Sequence, residues 1–149
     1  MSLQQQVMEK MKAAMKAKDK VALESLRAIK SALLLAQTES GAYGELSEQA
    51  EIQLVQKLVK QRKDSAAIFI DQGRQDLADP ELAQVAVIEQ FLPEQMAEDE
   101  IEKIVVETIA AVGADGMKDM GKVMGIVSKK LAGQADGKTI STIVKSKLA

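Results

Sequence analysis

The sequence predicts an all-α protein: an N-terminal helical bundle followed by a small three-helix C-terminal domain, with no β-sheet. Two observations carry that expectation. Apolar residues recur three and four apart through nearly the whole chain, and no alternating apolar/polar run is long enough for a strand. Capping residues, glycines and a proline then punctuate this pattern where helices would start and stop.

Leu3, Val7, Met8, Met11 and Met15 form a first amphipathic stripe. Asp19 suits the cap of a second helix carrying Leu23, Leu26, Ile29, Leu33 and Leu34. Gly41-Ala-Tyr-Gly44 breaks the pattern as a loop. A long third helix begins near Ser47, shows Ile52, Val55, Leu58, Val59, Ala66 and Phe69 on one face, and ends at Gly73. Asp79-Pro80 reads as a cap with proline at the first helical position, opening a helix with Leu82, Val85, Ala86 and Ile88. Phe91-Leu-Pro93 would then be a hinge, because proline ends the helix before it, while Glu98-Asp-Glu opens the next with acids well placed at its start. The expected division is 1–93 and 94–149, against the plainer alternative of a kink within one domain.

Beyond the hinge, Ile101, Ile104, Val105 and Ile109 mark one helix. Met120, Val123, Met124, Val127 and Leu131 mark a second, whose opposite face carries Lys118, Lys122, Gly125 and Lys129. Gly133 suits a left-handed helix stop, and Asp136 caps a last helix that buries Ile140, Ile143, Val144 and Leu148. Lys138, Thr142 and Lys145 turn outward from it.

Composition excludes more than it selects. Net charge is −2, and the chain has no His and no Cys. Imidazole bases, Ser–His and Cys–His nucleophiles and thiolate metal sites are therefore ruled out, and no catalytic residue, metal site or cofactor is expected. Tyr43, Phe69 and Phe91 are the only aromatics, too few for a platform that stacks single-stranded RNA. No apolar run reaches membrane-spanning length and no signal peptide precedes Met1-Ser-Leu-Gln, so a cytoplasmic location without membrane partners is the expectation. Charge is uneven: residues 113–149 hold seven lysines against three aspartates, and residues 94–112 hold six acids against one lysine.

Three features invite a functional reading. The basic surface of Lys118, Lys122, Lys129, Lys138 and Lys145, with Gly125 open to close backbone approach, is either an anion-binding face or a pair of solvated helix faces. Helical spacing puts Lys30 and Arg62 among the apolar stripes of the second and third helices, and Arg27 borders the same region. They form either an N-terminal anion pocket or long stems reaching water, with Asp64 or Glu51 as ion-pair partners. Ala132-Gly-Gln-Ala-Asp-Gly-Lys-Thr139 satisfies a relaxed phosphate-loop pattern, but a lysine-rich helix stands where a strand is needed, so nucleotide hydrolysis is rejected. The eight methionines invite reading as an adaptable partner-binding groove, but most fall on helix stripes needed for the core, so core packing is the better explanation.

Four motifs, in order, also carry a family resemblance: Leu26-Arg-Ala-Ile-Lys-Ser-Ala-Leu, Lys60-Gln-Arg-Lys-Asp-Ser-Ala, Glu89-Gln-Phe-Leu-Pro-Glu-Gln, and the tail from Met120-Gly-Lys-Val-Met-Gly through Ile143-Val-Lys-Ser-Lys-Leu. The chain resembles, over essentially its full length, the small stand-alone proteins of the GatB/YqeY (YqeY-like) family. About the last third resembles the tail of the B subunit of glutamine-dependent aspartyl/glutamyl-tRNA amidotransferases. The resemblance implies a tRNA-contacting helical tail and the label of a carbon–nitrogen ligase with glutamine as amide donor. Neither the glutaminase chemistry nor the catalytic cradle of that enzyme has a counterpart in this chain. The expectation is a non-catalytic tRNA-associated accessory protein. The alternative is an adaptor for an amidotransferase, a synthetase or another RNA-handling complex.

Overall fold

The computed structural model describes residues 2–39 and 46–149. The expected loop at Gly41-Ala-Tyr-Gly44 lies outside the described residues. Within them the chain forms seven α-helices and no strand: α1 Leu3–Ala17, α2 Lys20–Glu39, α3 Glu48–Asp71, α4 Gln75–Ile88, α5 Glu98–Val112, α6 Met120–Lys130 and α7 Gly137–Leu148. Two compact units divide between Leu92 and Pro93. Among the described residues, no helix is long and apolar enough to cross a membrane.

In the first unit, α1 begins with a reciprocal cap. The Ser2 hydroxyl accepts from the Gln5 N–H, and the Gln5 side chain accepts from the Ser2 N–H. Asp19 caps α2 by accepting from the Ala22 N–H at 3.1 Å, and Ser47 caps α3 through the Ala50 N–H. The core joins Leu3 and Val7 of α1, Leu26, Ile29 and Leu33 of α2, Val55 and Val59 of α3, and Val85 and Ile88 of α4. Phe91, which ends the 3-10 turn Glu89–Phe91, and Leu92, which follows it, pack against this core.

The buried seam of α1 is Leu3, Val7 and Ala14, with Met11 partly covered. Met8 and Met15 follow Val7 and Ala14 by one residue, about 100° further round the helix, and are 44% and 53% exposed. The expectation that they belong to the core is therefore corrected. Leu34 and Leu82 likewise face outward. Met11, Met120 and Met124 do pack against a core, as expected of them, and Met96 does so as well.

Two helices of this unit end in the same hydrogen-bond pattern with different residues. At the end of α3, Gly73 has φ +72°, its N–H bonds to the Ile70 carbonyl, and the Arg74 N–H bonds to Phe69. At the end of α1, Lys18 occupies the equivalent position at φ +55°, with Lys18 N–H bonded to Met15 and Asp19 N–H to Ala14. It is the only described non-glycine residue with positive φ.

α4 starts at Gln75, not at Pro80 as the sequence suggested. The Arg74 carbonyl accepts the Leu77 and Ala78 N–H groups, opening the helix straight after the Gly73 turn. Arg74 forks onto the Asp76 carboxylate at 3.0 and 2.9 Å, and the Gln75 side chain donates to Asp79. This first turn buries Ala78 completely. Pro80 leaves the Asp76 carbonyl without a helical donor, but both residues are exposed, so water can supply one.

In the second unit, α5, α6 and α7 pack pairwise around Ile101, Val105, Val123, Val127, Leu131, Ile140, Val144 and Leu148. Glu98, Asp99 and Glu100 occupy the first turn of α5, where the helix dipole favours carboxylates. Buried Thr108 donates its hydroxyl to the Ile104 carbonyl at 2.8 Å, so burial leaves no polar atom stranded there. The segment entering α5 is strapped to the α6–α7 turn: Gln95 Nε2 donates to the Gly133 carbonyl at 2.7 Å, and the Met96 N–H to Gln134 at 2.8 Å. Gly133 is buried with φ +79°.

Candidate nucleic-acid interface

The basic surface of the second unit is built by two helices and a turn. Asp119 fixes the entry to α6: its carboxylate accepts from the Asp115 N–H at 2.8 Å, within the 3-10 turn Met117–Asp119 that carries Lys118. Once α6 buries Val123 and Val127, helical geometry turns Lys122, Gly125 and Lys129 away from the core. Asp136 sets the start of α7 by accepting from the Thr139 N–H at 2.6 Å, and burial of Ile140 and Val144 turns Lys138 and Lys145 outward.

Lys118, Lys122, Lys129, Lys138 and Lys145 are all exposed, and none of their ammonium groups has a hydrogen-bond or ion-pair partner among the described residues. Lys147 differs, being ion-paired with Glu102 of α5. Lys130, in the last turn of α6, is also exposed, with no side-chain partner among the described residues; it lies off the Lys118–Lys122–Lys129 stripe and was not among the sequence candidates. A Cβ added at Gly121 or Gly125 would meet nothing within 4 Å, so α6 presents bare backbone beside its lysines. The Thr142 hydroxyl is spent on the Lys138 carbonyl at 2.9 Å.

Residues 93–149 contain no arginine and no aromatic residue. The arginine fork that reads a guanine edge and stacking on a base are therefore both absent from this face. Its chemistry is that of mobile point charges, which neutralise phosphates without reading sequence. The phosphate-loop pattern at 132–139 follows α6 directly. Its Gln134 N–H bonds to Leu131, and its Thr139 N–H to Asp136. Among the described residues, no group of three or more acidic, His or Cys side chains could hold a metal ion.

Arg27, Lys30 and Arg62 are placed differently from one another. Arg62 is half-buried, and its Nε donates to Gln84 Oε1 of α4 at 2.8 Å and its Nη1 to the Leu58 carbonyl at 3.1 Å. Arg27 is exposed and Lys30 half-buried, neither with a hydrogen-bonded or charged partner among the described residues. Asp64, one of the two carboxylates suggested for these cations, pairs instead with Lys60. Arg62 is thus satisfied by an amide and a carbonyl, and its fork is committed to holding α4 on α3.

An all-helical protein with a lysine-faced C-terminal unit is the class this geometry defines. Residues 4–148 match the model of the Yqey-like protein family, and the chain belongs to that family. It is 30% identical over 127 residues to Altered inheritance of mitochondria protein 41, mitochondrial, of Pyrenophora tritici-repentis, covering 84% of this chain and 68% of that protein. It is 41% identical over 58 residues to the E subunit of the Glutamyl-tRNA(Gln) amidotransferase of Thermococcus gammatolerans. That match covers 39% of this chain but 9% of the amidotransferase chain.

Proposed function

We propose that this chain is a tRNA-associated accessory protein that performs no chemistry itself and meets tRNA phosphates through the second unit. The observation that carries the reading is the set of five exposed, unpaired lysines, Lys118, Lys122, Lys129, Lys138 and Lys145, around the open backbone of Gly125. Likeness to an amidotransferase chain whose name specifies a tRNA substrate supports tRNA as the polyanion. The carbon–nitrogen ligase label with glutamine as amide donor would follow from kinship alone. A chain without His or Cys supplies no glutaminase nucleophile–base pair of the Cys–His kind.

A second reading, an adaptor for an amidotransferase or synthetase, draws on the first unit. Met8, Met15, Leu34, Leu35 and Ile68 there are each more than 40% exposed. Apolar surface of that kind serves protein contacts.

The test replaces Lys118, Lys122, Lys129 and Lys138 together with glutamate and measures affinity for total tRNA, with helicity as the control for folding. Binding of the native chain at low salt, abolished in the variant, is the expected result. Native binding that survives the four reversals would remove the tail from the interface and favour the adaptor.

A further inference from the structure

The turn joining α1 to α2 carries a second concentration of positive charge. Residues 10–20 hold five lysines against one carboxylate, Asp19, a net +4 in a chain whose total is −2. Lys10 is tied back to Gln90 Oε1 at 3.3 Å. Lys12, Lys16, Lys18 and Lys20 are exposed, with no hydrogen-bonded or ion-paired side-chain partner among the described residues. The Asp19 carboxylate faces the backbone, capping α2 at Ala22.

Helix electrostatics accounts for only one of these four. Lys16 lies in the last turn of α1, where a cation is favoured. Lys20 is the first residue of α2, the positive end of that dipole, where a cation is disfavoured. Lys12 and Lys16 are a like-charged pair four residues apart, which weakens a helix. Lys18 sits at φ +55°, a conformation that glycine adopts without the steric cost borne by a residue with a Cβ. Three unfavourable placements close together, with no side-chain partner among the described residues, point to a partner outside the fold.

We propose that the α1–α2 turn is a second phosphate-contacting surface for RNA, formed by Lys12, Lys16, Lys18 and Lys20. The proposal rests on the RNA reading of the tail and gives each unit its own set of phosphate contacts. An anionic bilayer is the weaker match, because α1 and α2 contain no aromatic anchor over 2–39, and Met15 and Val21 are the only large apolar side chains exposed at the turn. The lysine-only chemistry matches that of the tail and suits a shaped polyanion held by its backbone.

The test uses the full chain carrying Lys12→Gln, Lys16→Gln, Lys18→Gly and Lys20→Gln. Glutamine keeps helix propensity, and glycine at Lys18 relieves the left-handed backbone, so lost binding would not be lost folding. Against total tRNA the variant should bind about tenfold or more weakly at low salt. Its plot of log affinity against log salt should be shallower by about one unit for each lysine that meets a phosphate. If native and variant bind equally with the same slope, the turn is not a contact, while the tail reading stands. If the native chain fails to bind tRNA at low salt, both readings fall. Binding of the native chain to phosphatidylserine vesicles, lost in a variant that still binds tRNA normally, would assign the turn to a membrane and overturn the proposal.

Discussion

The two units bury similar aliphatic cores but leave different surfaces. In the second unit, apolar and charged residues separate cleanly round each helix, and only Val106 and Met117 among its large apolar side chains are exposed. The first unit exposes Met8, Met15, Leu34, Leu35 and Ile68, among others, and spends its half-buried Arg62 on an internal amide. The difference shows which forces each surface can use. The second unit offers unpaired charge and bare helix backbone, so its contacts should follow salt. The first offers lysines at the α1–α2 turn together with exposed apolar side chains, and only the lysine contacts should follow salt.

The largest expected effect tests whether the units stand apart energetically. Leu131 is almost fully buried in the second core, and Leu131→Ala should cost about 2–5 kcal/mol there. Amide hydrogen exchange should then accelerate at Val123 and Val127 while Val7 and Ile29 keep their protection. Equal acceleration in both cores would show that the units fold together.

A smaller effect is expected at the strap of the second unit. Gln95→Ala removes a 2.7 Å donor from the carbonyl of buried Gly133, and should lower stability by about 1–3 kcal/mol in thermal unfolding. No change would mean that the turn is held by the Met96–Gln134 backbone bond alone.

The smallest effects contrast helix ends and faces across the units. Lys18→Gly in the first unit should stabilise by about 0.5–1 kcal/mol, and Gly125→Ala in the second by up to about 1 kcal/mol. Gly133→Ala should do the reverse by about 1 kcal/mol, because its φ of +79° suits no side chain. Denaturant midpoints at constant slope would measure all three. Strong destabilisation by Gly125→Ala would contradict the open surface at that position.

Much of the second unit was legible in the sequence, because lysines and glycines alternate with aliphatics at a period near that of the helix. Val123, Val127, Lys122 and Lys129 fall on the expected sides, and Asp136 caps α7. The first unit was less legible for specific reasons. Met8 and Met15 border the true seam, so their apolar character fits the stripe while their angle does not. The start of α4 was misplaced because Asp79-Pro80 carries a strong start signal. The features that set it at Gln75 are tertiary burial of Ala78 and side-chain bonds from Arg74 and Gln75. Arg62 finds Gln84 twenty-two residues away, a pairing with no sequence period. Lysine is not the residue that announces a left-handed helix end, so the closure at Lys18 was hidden.

The proposed role is to hold tRNA by neutralising phosphates. Its most direct test is the affinity of the native chain for tRNA across a salt series. Each phosphate contact releases counterions and contributes roughly 0.7–0.9 to the steepness of log affinity against log salt. Four tail lysines in contact therefore predict a slope of about −3 or steeper, and engagement of the α1–α2 turn predicts a steeper one still. A slope near zero, or no binding at low salt, would contradict the account.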